Sequence, residues 1–329
     1  MDERARTQLS ERFMALGAEK RETFLKWLRE QGLTVAELPI PRAPERQSAP
    51  LTHAQERLWF LWRLTPDSAA YNIAGALRLG GALQLPALWA ALEQVVARHD
   101  ALRTELFEQD GRARQRVTDA RLQRSAVIDL SQEPSPLEAA EQRALELMRE
   151  PFDLQRAPLL RASVLRVAED DHVLVLCVHH IAADGWSLDV IMREVASQYA
   201  GQPRELPAPA VRYVDYARFC RAVLTESEVA RAIAPLCEGL GDVDSVLELP
   251  REGQRPQSPG EAAGVVSLSL PPRLVQRLHG FARERGCTLF TLLLSTYGLL
   301  LSRYSGQRQL RVGVPVANRS RSQLQEVVG

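Results

Sequence analysis

The sequence predicts a mixed α/β (α+β) fold, built from helices and strands packed in layers. Three observations predict it. Amphipathic stripes at helical spacing recur, as in Leu88, Leu92, Val95 and Val96 behind Pro86. Two apolar, β-branched runs, Leu159–Val167 and Val173–Val178, flank the charged Glu169-Asp170-Asp171 and read as a hairpin. The second half uses the same grammar, two helical patterns followed by a strand-like run.

The elements follow in order. Residues 8–32 carry helical periodicity, with Phe13, Leu16, Phe24, Leu25 and Leu28 near one face and Gly32 as the stop. The Pro-, Arg- and Ser-rich stretch from Pro39 to Pro50 reads as an exposed linker, so a boundary is placed near residue 50. Pro86 opens one helix, and Ser135-Pro136 opens another carrying Leu137, Leu145 and Met148. After the hairpin, Ser187 reads as the N-cap of a helix to about Tyr199, with Asp189 in its first turn. Residues 201–210, with Gly201 and three prolines, form a loop. Pro271-Pro272 open a helix bearing Leu274, Leu278 and Phe281 and closed by Gly286. The helix from Thr288 to Tyr304 is apolar nearly all round and is expected to be buried. Gln309 to Val316 is expected to be a strand.

Composition excludes several classes. The chain has 329 residues, of which 45% are hydrophobic and 25% charged, an ordinary globular balance. Lys+Arg and Asp+Glu both total 41, so the electrostatic case for nucleic-acid binding fails. Cys177, Cys220, Cys237 and Cys287 include no CxxC pair, which argues against a zinc or thiol-redox site and fits a reducing cytoplasm. The charged N-terminus lacks the apolar core of a signal peptide, and Leu289–Leu301 is too short to span a bilayer, so no membrane role is expected.

The sharpest chemical feature is Val178-His179-His180-Ile181-Ala182-Ala183-Asp184-Gly185-Trp186-Ser187, between a strand and a helix. Neighbouring residues of a strand face opposite ways, so one histidine belongs in the core and the other faces a cleft. The same divergence argues against a shared metal. Gly185 permits a tight turn and the close approach of a substrate. Ser187, His180 and Asp184 supply the residue types of a hydrolase triad, yet the chain has no GxSxG elbow and Ser187 has a simpler task as a cap. On residue types alone a His-His pair after a strand is more often structural than catalytic. His53, His99, His172 and His279 are read as structural.

Residues 179–185 match HHxxxDG, the signature of condensation domains of non-ribosomal peptide synthetases and their acyltransferase relatives. Four further segments resemble that family in its own order. Leu51–Leu61 resembles SxAQxRLWFL with Thr52 in place of Ser, and Arg98–Thr104 resembles RHExLRT with Asp100 in place of Glu. Tyr213–Ala217 resembles YxDYA, and Gly313–Arg319 resembles GxPxANR. Tyr71-Asn72-Ile73 is similar to the LCL subtype, which joins an L-configured donor to an L-amino acid acceptor. Epimerization domains also carry HHxxxDG, but in different surroundings. The resemblance covers about residue 50 to the end.

The resemblance implies two chloramphenicol-acetyltransferase-like lobes in a V with a tunnel between them. The expected segments are a docking or linker segment at 1–49, a first lobe at 50–222 and a partial second lobe at 223–329. In the family the chain continues beyond GxPxANR through an FVNT-type motif, so the second lobe is expected to be incomplete and the activity of this length stays open. By the same carry-over His180 is catalytic and His179 is packed and structural. Asp184 forms a structural ion pair with Arg103 or Arg319, and the Gly185 N–H helps to hold an oxyanion. The implied reaction is amide formation between two thioesters on the 4′-phosphopantetheine arms of donor and acceptor carrier domains, with no cofactor or metal held by the chain itself. An adenylation domain is the expected neighbour. Residues 1–49 either dock an upstream synthetase subunit or pack as a spacer. An acyl-CoA-dependent or ester-forming acyltransferase and an inactive carrier-docking fragment remain as alternatives.

Overall fold

The computed structural model describes residues 2–43, 48–201, 208–240, 246–250 and 266–329. Most of the loop expected over 201–210, and residues 44–47 of the expected linker, lie outside the described residues. Two compact units form, Met1–Ala230 together with Ala317–Gly329, and Arg231–Val316. The described residues of the N-terminal segment, 2–43, pack into the first unit, and the stretch from Ala317 returns to it.

The first unit begins with two helices, not one. Helix α1 (Glu3–Ala15) ends at Leu16, and extended Gly17 caps α2 (Ala18–Glu30). Gly32 takes φ +70°, the left-handed stop that a residue without Cβ supplies. Phe13, Leu25 and Leu28 turn inward against Phe219 and Ala222 of α7 (Tyr213–Val223). This run of the unit ends in the first turns of α8 (Glu226–Leu240), where Glu228 pairs with Arg29 of α2; the rest of α8 belongs to the second unit.

The expectation of an exposed linker is overturned for its described first part. Leu38 and Ile40 alternate along extended backbone and are buried with Val211, Leu324 and Val327. Gln323 brackets Ile40, accepting from its N–H at 2.8 Å and donating to its carbonyl at 3.3 Å. Arg321 donates to the carbonyls of Leu38 and Val35. The Pro and Arg spacing from residue 39 hid Ile40, and Leu38 stands just before that stretch.

Two sheets follow. The smaller has the order β1-β4-β3, from Ala49–Pro50, Arg112–Val117 and Thr104–Gln109. Its hairpin turns at Asp110-Gly111, where φ is +51° and +69°, the pair of positive values a type I′ turn demands. The larger has the order β2-β7-β6-β5, from Asn72–Gly80, Asp171–His179, Leu160–Ala168 and Ile128–Asp129. The expected hairpin is β6–β7, antiparallel with Leu160 opposite Val178. Strand β7 is buried almost throughout because both faces are covered. On one face Leu174 and Val178 meet α4 (Leu85–Arg98) and α6 (Gly185–Tyr199). On the other, Val173 and Val175 meet α5 (Pro136–Met148). Helix α5 presents Ala140 and Ala144 to the sheet, with Met148 packed partly buried beside them, and leaves Leu137 and Leu145 exposed.

The second unit holds α9 (Pro272–Glu284) and α10 (Leu289–Ser305), closed by Gly286 and Gly306 at positive φ. Two expectations fail here. Helix α10 has no buried residue, and Phe290 and Leu299 are 57% and 60% exposed. Within this unit α9 is the helix that packs on it, and one neighbour cannot cover an all-apolar cylinder. Gln309–Val316 forms no strand, because no described segment supplies the ladder that defines one. Among the described residues no single helix is long and apolar enough to cross a membrane.

Candidate active site

The histidine pair sits where β7 ends. His179 is the last strand residue, paired in register with Asn72 of β2, and its N–H donates to the Leu159 carbonyl at 3.2 Å. A tight turn follows, closed by the Ala182 N–H on the His179 carbonyl at 2.9 Å. The His180 N–H donates to the Tyr71 carbonyl at 2.8 Å, so the main chain of residue 180 is held by β2's own entry segment.

The two imidazoles part company as strand geometry requires. His179 is 3% exposed, with the Tyr71 and Phe152 rings at 6.5 and 6.1 Å. Its Nδ1 accepts the Ile181 N–H at 3.1 Å, which places the ring's own proton on Nε2. Burial, aided by the neighbouring imidazole of His180, pushes its pKa down to about 4, so it is neutral at physiological pH. His180 is exposed.

The turn is braced from two sides. Gln55 of α3 (His53–Leu64) donates to the Ile181 carbonyl at 3.3 Å. Gln55 is itself fixed as the third residue of a capping box with Thr52, the S/T-x-x-E/Q spacing visible in the sequence. On the other side Asp184, not Ser187, caps α6; its Oδ1 accepts the Ser187 N–H at 2.7 Å and the Ser187 hydroxyl at 2.6 Å. The sequence offered two capping residues three positions apart, and the aspartate took the outer place. Ser187 became the buried third residue of the helix.

Arg319 is the ion-pair partner of Asp184, at 2.9 Å through Nη2. The same guanidinium donates to the Ser187 hydroxyl at 2.9 Å and to main-chain oxygens of Leu324, Val327 and Gly329 at 2.6, 2.5 and 2.8 Å. Burial would raise the Asp184 pKa, but hydrogen bonds from Arg319 and Ser187 outweigh it and hold the carboxyl below its usual range. Arg103 is engaged elsewhere, with Asp100 and with the Thr118 carbonyl at 2.7 Å. Gly185 is the first residue of α6 and does not take positive φ, so a tight turn is not what its place demands; a Cβ there would meet no atom within 4 Å.

Other residues of the motifs tie elements together. His99 and Arg98, at the end of α4, clamp the buried Glu194 of α6 at 2.9 and 3.0 Å. Asp215 of α7 accepts from the Arg212 guanidinium and from the Ala43 N–H. Glu194 and Phe152 were not singled out in the sequence, since neither stands in a recognisable spacing. Among the described residues no three His, Cys, Asp or Glu gather as a metal site.

Fold and turn together define a layered α/β domain of the HHxxxDG class. The chain belongs to the condensation-domain family, whose family model matches residues 45–329. It is 38% identical to one of the linear gramicidin synthase proteins of Brevibacillus parabrevis over 88% of this chain and 4% of that one. It is 33% identical to phosphinothricin tripeptide synthetase PhsC of Streptomyces viridochromogenes over 98% of this chain and 30% of that one. The chain thus spans under a third of each of these relatives. Among solved structures, the X-domain from teicoplanin biosynthesis matches with TM-score 0.73 and 30% identity, over 88% of this chain and 65% of that one. The first condensation domain of the CDA synthetase matches in fold with TM-score 0.70 and 22% identity, over 86% and 68%. The mixed helix and sheet architecture is that of these chloramphenicol-acetyltransferase-like structures.

Proposed function

We propose that the chain forms peptide bonds in non-ribosomal peptide synthesis, with His180 as the catalytic residue. The observation that carries this reading is the divergence of the pair, with His179 buried and neutral and His180 exposed at the end of a rigid strand. In the proposed step the amine of a carrier-bound aminoacyl thioester attacks a donor thioester carbonyl. A C–N bond forms, the C–S bond breaks, and the proton leaving the amine passes by way of His180 to the departing thiolate.

The demands on the protein are modest. An α-amine titrates near about 7.7–8.0, so a useful fraction is neutral without a strong base. Holding the reacting atoms in near-attack geometry contributes up to about 7–11 kcal/mol, whereas acid–base help contributes about 10²–10⁴-fold. His180 therefore mainly positions the amine and relieves its proton. The Gly185 N–H, at the start of α6, points to a role in holding the oxyanion.

The proposed partners are donor and acceptor carrier domains, which bring both substrates on phosphopantetheine arms, together with an adenylation domain. Residues 1–49 are proposed to meet an upstream synthetase protein. Tyr71-Asn72-Ile73 supports an L-donor, L-acceptor preference, and four unpaired cysteines support a cytoplasmic setting. The test is His180→Ala in a complete module with loaded carriers. Dipeptide formation should fall about 10²–10⁴-fold, and an unchanged rate refutes the assignment.

A further inference from the structure

A cavity of about 490 Å³, open to solvent, lies in the first unit, built by α1, α2, the stretch 41–43, Pro50 and α7. None of its residues belongs to the histidine turn. Arg21, Arg42, Arg218 and Arg221 line it, against the carboxylates of Glu11 and Asp215.

Asp215 has no acceptor capacity left for that excess. Its Oδ1 takes the Ala43 N–H at 3.0 Å and Arg212 Nη2 at 2.9 Å; its Oδ2 takes the Arg212 N–H and Nε at 2.9 and 3.0 Å. Arg221 is paired with Glu56. Arg21 donates one bond, to the Met14 carbonyl at 2.8 Å, and its Nε is buried with no hydrogen-bond partner among the described residues. Arg42 is exposed, and its charge reaches the carboxylate of Asp100, outside the cavity lining. Burial lowers the pKa of both Arg21 and Arg218, the mark of guanidiniums short of solvent.

We propose that this cavity is an oxyanion-binding site, taking a phosphoryl group or clustered carboxylates between Arg21 and Arg42. Guanidinium presents planar, paired donors that match such oxygens, and a buried donor left unpaired carries a desolvation cost that an oxyanion removes.

Inorganic phosphate, pyrophosphate and a hexaglutamate peptide are titrated separately into the 329-residue chain at low salt by calorimetry. At least one should bind saturably at one site. Arg21→Gln and Arg42→Gln should each weaken it about tenfold or more, while Arg116→Gln, in the β3–β4 hairpin, should not. Binding of pyrophosphate alone assigns a phosphoryl ligand, and binding of the peptide alone assigns an acidic segment. Absence of saturable binding for all three, or equal loss in the Arg116 variant, overturns the site. Arg42 is exposed, so its variant keeps the test valid if Arg21→Gln fails to fold.

Discussion

His179 shows how one buried ring writes itself into the stability of the protein. Its pKa is held at about 4, below the usual imidazole value near about 6.5. As pH falls, the unfolded chain takes up that proton first. Stability is therefore intact above about 6.5 and declines between there and about 4, by on the order of 3 kcal/mol. Denaturant titrations across that range should show His179→Phe losing this slope relative to the parent; an equal slope in both would assign it to another group. Asp184 acts in the same direction at lower pH, through its charged form. Its pKa lies below the ordinary carboxylate range, so the stability it adds is present above that range and is lost as pH falls through its lowered value. At this scale the sequence was informative where strand alternation applies, and so separated residue 179 from residue 180. It was uninformative about Arg103 against Arg319. The winning partner lies 135 residues from Asp184, and no local spacing encodes such a pair.

At the scale of elements, the N-terminus of α6 is a junction between the strand β7 and the segment 317–329. Arg319 reaches the cap, the third helical residue and three main-chain oxygens of its own segment. Arg319→Gln should cost about 3 kcal/mol, the scale of breaking a largely buried ion pair, and should make 317–329 sensitive to protease. Asp184→Asn should likewise cost folding more than chemistry. An Asp184→Asn protein of parental stability but without activity would contradict the structural role. The cap itself illustrates the limit of local reading. Asp184 and Ser187 are both good caps and both meet Arg319, and the outer place fell to the one whose carboxylate forms the ion pair.

For the molecule as a whole, the N-terminal segment is part of the first unit's core. Leu28 is 1% exposed among Leu38, Phe219 and Val327. Leu28→Ala should cost about 2–5 kcal/mol and lower the midpoint of the unit's single main transition, as followed by Trp fluorescence during urea unfolding. A midpoint unchanged from the parent would mean that residues 1–49 fold apart from the rest. By itself the sequence determined the helices opened by Pro86, Pro136 and Pro272, the β6–β7 hairpin, the family through its spaced motifs, and that one of two neighbouring histidines stays inside, the resemblance naming His179. These follow from short-range periodicity, in which each residue's role depends on neighbours a few places away. Tertiary structure alone decided that Leu38 and Ile40 are core, that Arg319 holds Asp184, that α10 stands exposed and that 309–316 is not a strand. Burial, ladder pairing and ion pairing depend on partners far along the chain, and an apolar or β-branched pattern says what a segment can bury without saying what covers it.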